Sequence, residues 1–339
     1  MSILFILQEL MGRIYQKKRV QEIPLPCDQF DLIIGTSTGG LIALMLGRLR
    51  MPVNETIDAY EALSKDVFGK GKKWRLNPLS SAPRYSAENL KNAIYTIAKD
   101  TPLVDPDPNA CRAAVVAVKQ VAANDPPDLL RTYSQLDAPA NDCCTVSDAA
   151  RATTAATTFF PPAVVQVNHG LSVTYLDGGL GNTNPADHAI KEAQKIWGPN
   201  CKFGCIVSIG TGLVENIDFK GDMLRLANKL KEIQSSGERV HTYILNEFGV
   251  EPSVYFRFNV PTNLRQIGLD EWRRRQQIGE LTHSYIQRTS SQFRDCVNAI
   301  LCPVSFLQLV DASAVFTFGS ATAGHFQRFG PSRPGTELQ

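Results

Sequence analysis

Short apolar runs alternate with longer amphipathic stretches along most of the chain. Runs of strand length lie at residues 30–34, 113–121, 129–134, 171–176, 203–209 and 254–260. Apolar positions with a helical period occupy residues 41–49, 87–99, 185–197, 222–247 and 270–300, and near the start Ile6, Leu7, Leu10, Met11 and Ile14 mark one helix face. Strands that alternate with helices are typical of an α/β domain, so the pattern predicts a mostly parallel central sheet with helices on both faces.

This pattern weakens in three places. Residues 65–84 are rich in Lys, Gly, Ser and Pro, and residues 102–108 are rich in Pro and Asp, so both are predicted connections. Apolar residues dominate 301–318, but Pro303 and Asp311 disfavour a membrane span there. From Gly319 onward Gly, Ser, Pro and Thr prevail without periodicity, and we expect no ordered structure.

The composition is that of a globular protein without a dominant charge. Of the 339 residues, 35 are Lys or Arg and 33 are Asp or Glu, so no overall field favours nucleic acid. The eight Cys lack the repeated spacing of zinc sites, and none of the five His has the i, i+4 spacing of a helical metal pair. We therefore predict no metal or cofactor. Reduced thiols and a start without the pattern of a signal peptide favour a cytoplasmic protein.

The segment 30–43 combines an apolar strand, a glycine-rich turn and a helix around Ser37. The turn, Gly35-Thr36-Ser37-Thr38-Gly39-Gly40, contains the G-x-S-x-G pattern, which between a strand and a helix is typical of a nucleophile elbow. The glycines leave room where strand and helix cross closely, and the helix N-terminus favours a developing oxyanion. A turn that serves packing alone is the structural alternative. A phosphate-binding loop is disfavoured because no Lys follows the glycines.

A serine hydroxyl needs a base before it can act as a nucleophile. The candidate base is Asp177, which ends the predicted strand 171–176 and is followed by Gly178 and Gly179. Backbone without side chains at those two positions lets the carboxylate approach another group closely. The alternative is an Asp that caps the turn, or the helix that begins near Pro185.

These segments resemble the motifs of the patatin-like phospholipase family. The turn around Ser37 is similar to the family's nucleophile motif, and Asp177-Gly178-Gly179, continued by Asn182, Asn184 and Pro185, is similar to its second motif. Residues 149–156 with 159–162, and residues 207–212, resemble two further family stretches. The resemblance implies a patatin-like three-layer α/β sandwich at residues 1–213. We expect a helical and strand extension of the same domain at 214–300. At 301–339, where the resemblance is absent, we expect a divergent, disordered tail.

The resemblance also implies an activity, that of a phospholipase A-type or esterase lipid acyl hydrolase in lipid metabolism. Ser37 would attack the ester carbonyl of an acyl lipid or phospholipid. Asp177 would take the serine proton and later activate water, so that an acyl-enzyme forms and is hydrolysed. The residues that would support this dyad are Gly35, Thr36, Thr38, Gly39, Gly40, Gly178 and Gly179.

One family feature has no counterpart in the sequence. Family members begin with a strand and a glycine-rich loop whose N–H groups bind the oxyanion, and residues 2–11 resemble the helix that follows that loop. Losing one oxyanion donor typically costs about 10²–10³-fold in turnover, so we expect impaired activity unless the sequence is incomplete at its start. Loss of the strand would also leave a gap in the sheet. The alternative function is a weak or inactive scaffold that acts as an interaction or regulatory module.

Two further hypotheses concern residues outside these motifs. His241 and His283 follow Asp177, so a Ser–Asp–His order is available, although helix-surface positions are favoured for both. Basic residues combine with an aromatic ring in the segment that contains Lys70, Lys72, Lys73, Trp74 and Arg75. Such a pattern suits peripheral contact with an anionic membrane surface, and a solvated loop is the alternative.

Overall fold

The computed structural model describes residues 1–69, 85–135, 143–156, 159–168, 170–214, 237–246, 253–262, 274–301 and, for the backbone alone, 312–318. The helices are α1 (Ser2–Lys18), α2 (Pro26–Gln29), α3 (Thr38–Ala43, continued by a π-helical turn at Leu44–Arg48), α4 (Val53–Phe68), α5 (Ala87–Ala98), α6 (Val146–Thr153), α7 (Ala186–Trp197), α8 (237–246), α9 (Arg275–Arg288) and α10 (Ser290–Leu301). The strands are β1 (Leu32–Thr36), β2 (Arg112–Lys119), β3 (Asp128–Arg131), β4 (Ala163–Asn168), β5 (Leu171–Asp177), β6 (Lys202–Ile209), β7 (Leu213–Val214), β8 (Tyr255–Phe258), β9 (Pro261–Thr262) and β10 (Ala312–Phe318).

Eight strands of the described chain form one mixed sheet. Its order is β4-β5-β2-β1-β10-β6-β8, and β3 also pairs with β2. The strands β2, β1, β10, β6 and β8 are parallel. Strands β3 and β5 are antiparallel to β2, and β4 is antiparallel to β5. The predicted α/β architecture with a largely parallel centre is therefore confirmed, with an antiparallel margin on one side.

Helices cover both faces of the sheet because successive residues of a strand point to opposite sides. In β1, Ile33 belongs to a buried cluster that includes α1, α9 and α10, whereas Leu32 and Ile34 pack with α7. Leu7 and Leu10 of α1 are fully buried in the first of these clusters. Burying a leucine side chain contributes about 1.5–3 kcal/mol, so α1 is a core helix.

Some elements differ from the sequence prediction. Helix α4, helix α6 and strand β4 were not predicted, and the predicted helix 270–300 is divided at Thr289 into α9 and α10. Strand β4 follows Pro161 and Pro162 and lies at the margin of the sheet. Its alternation of buried and exposed residues covers only six positions, which is a short signal. Of the predicted helix 222–247, residues 237–246 are helical, and the remainder lies outside the described residues.

Strand β10 lies within the range for which we expected a divergent, disordered tail. It pairs in parallel with β1, where Ile33 is opposite Phe316, and with β6, where Val207 is also opposite Phe316. It therefore fills the place beside β1 where we expected a gap in the sheet. Residues 302–311 and 319–339 lie outside the described residues. Within the described chain, no helix combines the length and the hydropathy that crossing a membrane requires.

Candidate active site

Ser37 lies between the end of β1 and the start of α3. Its backbone has φ 56° and ψ −124°, a positive φ that is strained for a residue with a side chain. The N–H groups of Gly40 and Leu41 donate to the Ser37 carbonyl at 2.9 and 3.2 Å. A Cβ at Gly35 would lie 2.1 Å from the carbonyl oxygen of Gly39, so only glycine allows strand and helix to cross this closely. The turn has the form of a nucleophile elbow.

Asp177 reaches this turn because β5 pairs with β2 on the side away from β1. In the sheet, Thr36 is opposite Val116, and Asp177 is opposite Ala117, one residue further along β2. This register brings together two side chains that are 140 positions apart. The Ser37 hydroxyl donates to Oδ2 of Asp177 at 2.7 Å.

The carboxyl group of Asp177 is buried, whereas Ser37 is partly exposed. Burial raises the pKa of Asp177 to about 6 from its ordinary value of 3.8. Hydrogen bonds from the Ser37 hydroxyl and from the Gly179 N–H, which donates to Oδ1 at 2.6 Å, oppose this rise. At neutral pH the carboxylate is thus ionised and yet more basic than an exposed one, which suits a general base.

The other predicted supporting residues surround this pair. Thr36 ends β1 and is buried, and its hydroxyl has no hydrogen-bond partner among the described residues. The side chain of Thr38 hydrogen-bonds with Tyr60 of α4. A Cβ at Gly178 would lie 2.3 Å from the carbonyl oxygen of Val116, so the turn after Asp177 requires glycine there. These contacts fix the backbone around the serine and the aspartate.

The sequence did not indicate a role for Thr153, which contacts the site directly. Its hydroxyl accepts a hydrogen bond from the Ser37 N–H at 2.8 Å and donates to the Val116 carbonyl at 2.7 Å. Two residues further on, the Ala155 carbonyl accepts from the Asp177 N–H at 3.1 Å. The only signal in the sequence was that Thr153 lies in one of the stretches that resemble the family.

The two candidate histidines have other described partners. His241 Nδ1 lies 3.3 Å from the hydroxyl of Tyr255, and burial lowers the pKa of His241. His283 is exposed on α9 and lies 2.8 Å from Gln287. In the described part of the chain, the hydroxyl of Ser37 contacts a carboxylate instead of an imidazole.

The basic segment lies outside the described residues, with Lys70, Lys72, Lys73, Trp74 and Arg75. His169 and His325 also lie outside them. Over the ranges that the structure describes, no group of three His, Cys, Asp or Glu side chains is arranged to hold a metal ion.

Fold and site together define an α/β protein whose central sheet holds an elbow serine in contact with a buried aspartate. A family model described as "Patatin-like phospholipase" matches residues 18–190, slightly more than half of the chain. The chain belongs to the patatin-like phospholipase family, as its motifs predicted.

Several named proteins are similar to this chain in sequence. Calcium-independent phospholipase A2-gamma of Homo sapiens is 27% identical over 311 residues, which cover 87% of this chain and 39% of that protein. The protein of the same name from Rattus norvegicus is 30% identical over 271 residues, covering 76% of this chain and 34% of the relative. Phospholipase A I of Arabidopsis thaliana is 26% identical over 303 residues, which cover 71% of this chain and 23% of that protein. The chain thus spans well under half of the length of these relatives.

Proposed function

We propose that this chain hydrolyses acyl esters of lipids, with phospholipids as the principal substrate class, by means of a Ser37–Asp177 dyad. The observation that carries the proposal is the 2.7 Å hydrogen bond from the Ser37 hydroxyl to the buried Asp177 carboxylate. Membership of a phospholipase family and the names of the similar proteins support the choice of a lipid ester.

In the acylation step, Ser37 Oγ attacks the ester carbonyl carbon while its proton passes to Asp177. The tetrahedral intermediate collapses when the bond to the alcohol oxygen breaks, and the departing alcohol takes the proton from Asp177. An acyl-enzyme remains on Ser37. The raised pKa of Asp177, which results from burial, assists the first transfer because the group is more basic than an exposed carboxylate.

Deacylation repeats the sequence with water. Asp177 takes a proton from a water molecule whose oxygen attacks the acyl carbonyl, and the bond to Ser37 Oγ breaks as Oγ regains the proton. A fatty acid leaves. Ser37 is partly exposed, so a lipid can approach it, and its strained backbone turns the chain away from the sheet at the nucleophile.

Hydrolysis of phosphatidylcholine vesicles and of a short-chain nitrophenyl ester tests the proposal. Ser37→Ala and Asp177→Asn should each lower the rate by at least about 10³-fold, because serine and base act as one unit. The matched controls are Ser284→Ala and Asp58→Asn, which change exposed residues on α9 and α4 and should retain the wild-type rate. Wild-type rates in Ser37→Ala would exclude the dyad.

The same assays separate the histidine alternative from the dyad. His241→Ala and His283→Ala should leave hydrolysis unchanged, since neither side chain contacts the described site. Loss of activity in either variant, with most of the rate retained in Asp177→Asn, would assign the base to histidine.

A further inference from the structure

The end of helix α6 contacts the backbone of both members of the candidate dyad. Thr153, the last residue of α6, is fully buried, and its hydroxyl stands between the Ser37 N–H and the Val116 carbonyl. The Ala155 carbonyl binds the N–H of Asp177. Two residues of one short segment, Thr153 and Ala155, thus connect the nucleophile and the base, which follow or end different strands.

The Thr153 hydroxyl contacts strands β1 and β2 at the point where their pairing ends. Strands β1 and β2 pair in register as far as Thr36 and Val116, and at Ser37 the chain turns away at positive φ. At this point the Thr153 hydroxyl lies between the Ser37 N–H and the Val116 carbonyl. The hydroxyl satisfies both groups, since it accepts from one and donates to the other. An unsatisfied buried N–H or carbonyl would cost free energy.

Two motif glycines provide the space for this bridge. A Cβ at Gly40 would lie 2.7 Å from Cγ2 and 2.8 Å from Oγ1 of Thr153. A Cβ at Gly178 would lie 2.3 Å from the carbonyl oxygen of Val116, the atom to which Thr153 donates. Gly40 and Gly178 therefore both leave the space that the contacts of Thr153 require.

We propose that Thr153 is a positioning residue for this reaction, whose hydroxyl holds the Ser37 backbone so that Oγ stays within hydrogen-bond distance of Asp177. The proposal rests on the proposed function, since it assigns a role within the same site. Thr153 touches no reacting atom. Its effect passes through the Ser37 N–H, and small displacements of a nucleophile lower turnover strongly.

Replacement of the hydroxyl alone tests this role. Thr153→Val removes the hydroxyl at nearly constant volume, and we expect kcat to fall at least ~10-fold while KM changes less than about two-fold. Thr153→Ser retains the hydroxyl and should restore most of kcat. The matched control is Thr282→Val, which removes another fully buried hydroxyl, bonded at 2.7 Å to Ile278 within α9, and should leave kcat unchanged.

The variants are compared at a temperature at which circular dichroism shows all of them folded. If Thr153→Val does not fold, Thr153→Ser and Thr153→Ala make the same test, because they differ in the hydroxyl alone. Crystal structures add a readout that does not depend on turnover. We expect the Ser37 Oγ to Asp177 Oδ2 contact to be kept in Thr153→Ser and broken in Thr153→Val or Thr153→Ala.

The two proposals fail in different ways. A wild-type chain that cleaves no ester contradicts the proposed function, while the crystal structures still decide the role of Thr153. An active wild type, together with unchanged kcat and an unchanged serine–aspartate contact in the variants without the hydroxyl, overturns the positioning role. Loss of kcat in Thr153→Ser to the level of Thr153→Ala also overturns it, because the methyl group would then be the feature that matters.

Discussion

At the scale of single residues, the site combines two unfavourable features that neighbouring contacts hold in place. Ser37 has a positive φ, which costs on the order of 1 kcal/mol or more for a residue with a Cβ. Asp177 is buried as a carboxylate, and burial disfavours its charge. A hydrogen bond from the Ser37 N–H to the Thr153 hydroxyl and one from the Gly179 N–H to the Asp177 carboxylate stabilise the arrangement. The serine and aspartate are therefore positioned at the expense of stability, which is typical of functional sites.

The charge of Asp177 should contribute a cost to the stability of the folded protein at neutral pH that is absent below pH 4. Its pKa is about 6 in the folded state, whereas in the unfolded chain it is near 3.8. Between these values the folded protein retains a proton that the unfolded chain has lost, so stability falls as pH rises. Above about pH 6 the whole cost, roughly 2–3 kcal/mol, is present.

Asp177→Asn should therefore be inactive and yet more stable at pH 8, because a neutral amide replaces the buried charge. We expect its free energy of unfolding, measured in urea, to exceed that of the wild type by about 1–3 kcal/mol. At pH 4 the gain should disappear. Asp58→Asn, on the exposed face of α4, is the control and should change stability by at most ~0.5 kcal/mol at either pH. A variant that is less stable than the wild type at pH 8 would contradict this view of the carboxylate.

At the scale of elements, the site lies where the two halves of the sheet meet. Strand β1 has β2 on one side and β10 on the other, and β10 in turn pairs with β6. The helix that carries Thr153 begins with a capping box, in which Thr145 and Asp148 satisfy each other's backbone N–H groups. The dyad thus depends on strands and a helix that come from distant parts of the chain.

Removal of β10 should expose the edges of β1 and β6 and destabilise the whole sheet. A chain that ends at Leu301 loses this strand, and we expect it to unfold at a markedly lower urea concentration than the complete chain, or to aggregate through its unpaired strand edges. A chain that ends at Phe318 keeps β10 and serves as the control, with a midpoint near that of the full chain. Equal midpoints for all three chains would show that β10 does not support the sheet.

At the scale of the whole molecule, the sequence predicted features that depend on local pattern. The apolar run before Gly35 and the periodic helices indicated the α/β class, and the glycine motifs indicated Ser37 and Asp177 as the dyad. The contact between those two side chains follows from the antiparallel pairing of β5 with β2, which no local pattern specifies. The structure, and not the sequence, therefore supplies the geometry.

The features that the sequence did not indicate depend on contacts between distant segments. Strand β10 lies in an apolar range for which we expected a divergent, disordered tail, and its pairing with β1 and β6 joins it to the sheet. Thr153 gains its contact with Ser37, 116 positions away along the chain, because α6 packs against α3 and β2. Propensity and periodicity contain no information about such pairs.

The central claim is that Asp177 activates Ser37. The most direct test is the rate at which a fluorophosphonate reacts with the protein between pH 4 and 8. Peptide mass spectrometry locates the modified residue. We predict a phosphonyl group on Ser37, a rate that rises with pH through about 6 as Asp177 ionises, and almost no reaction in Asp177→Asn. Modification of another residue, or the same rate in Asp177→Asn as in the wild type, would contradict it.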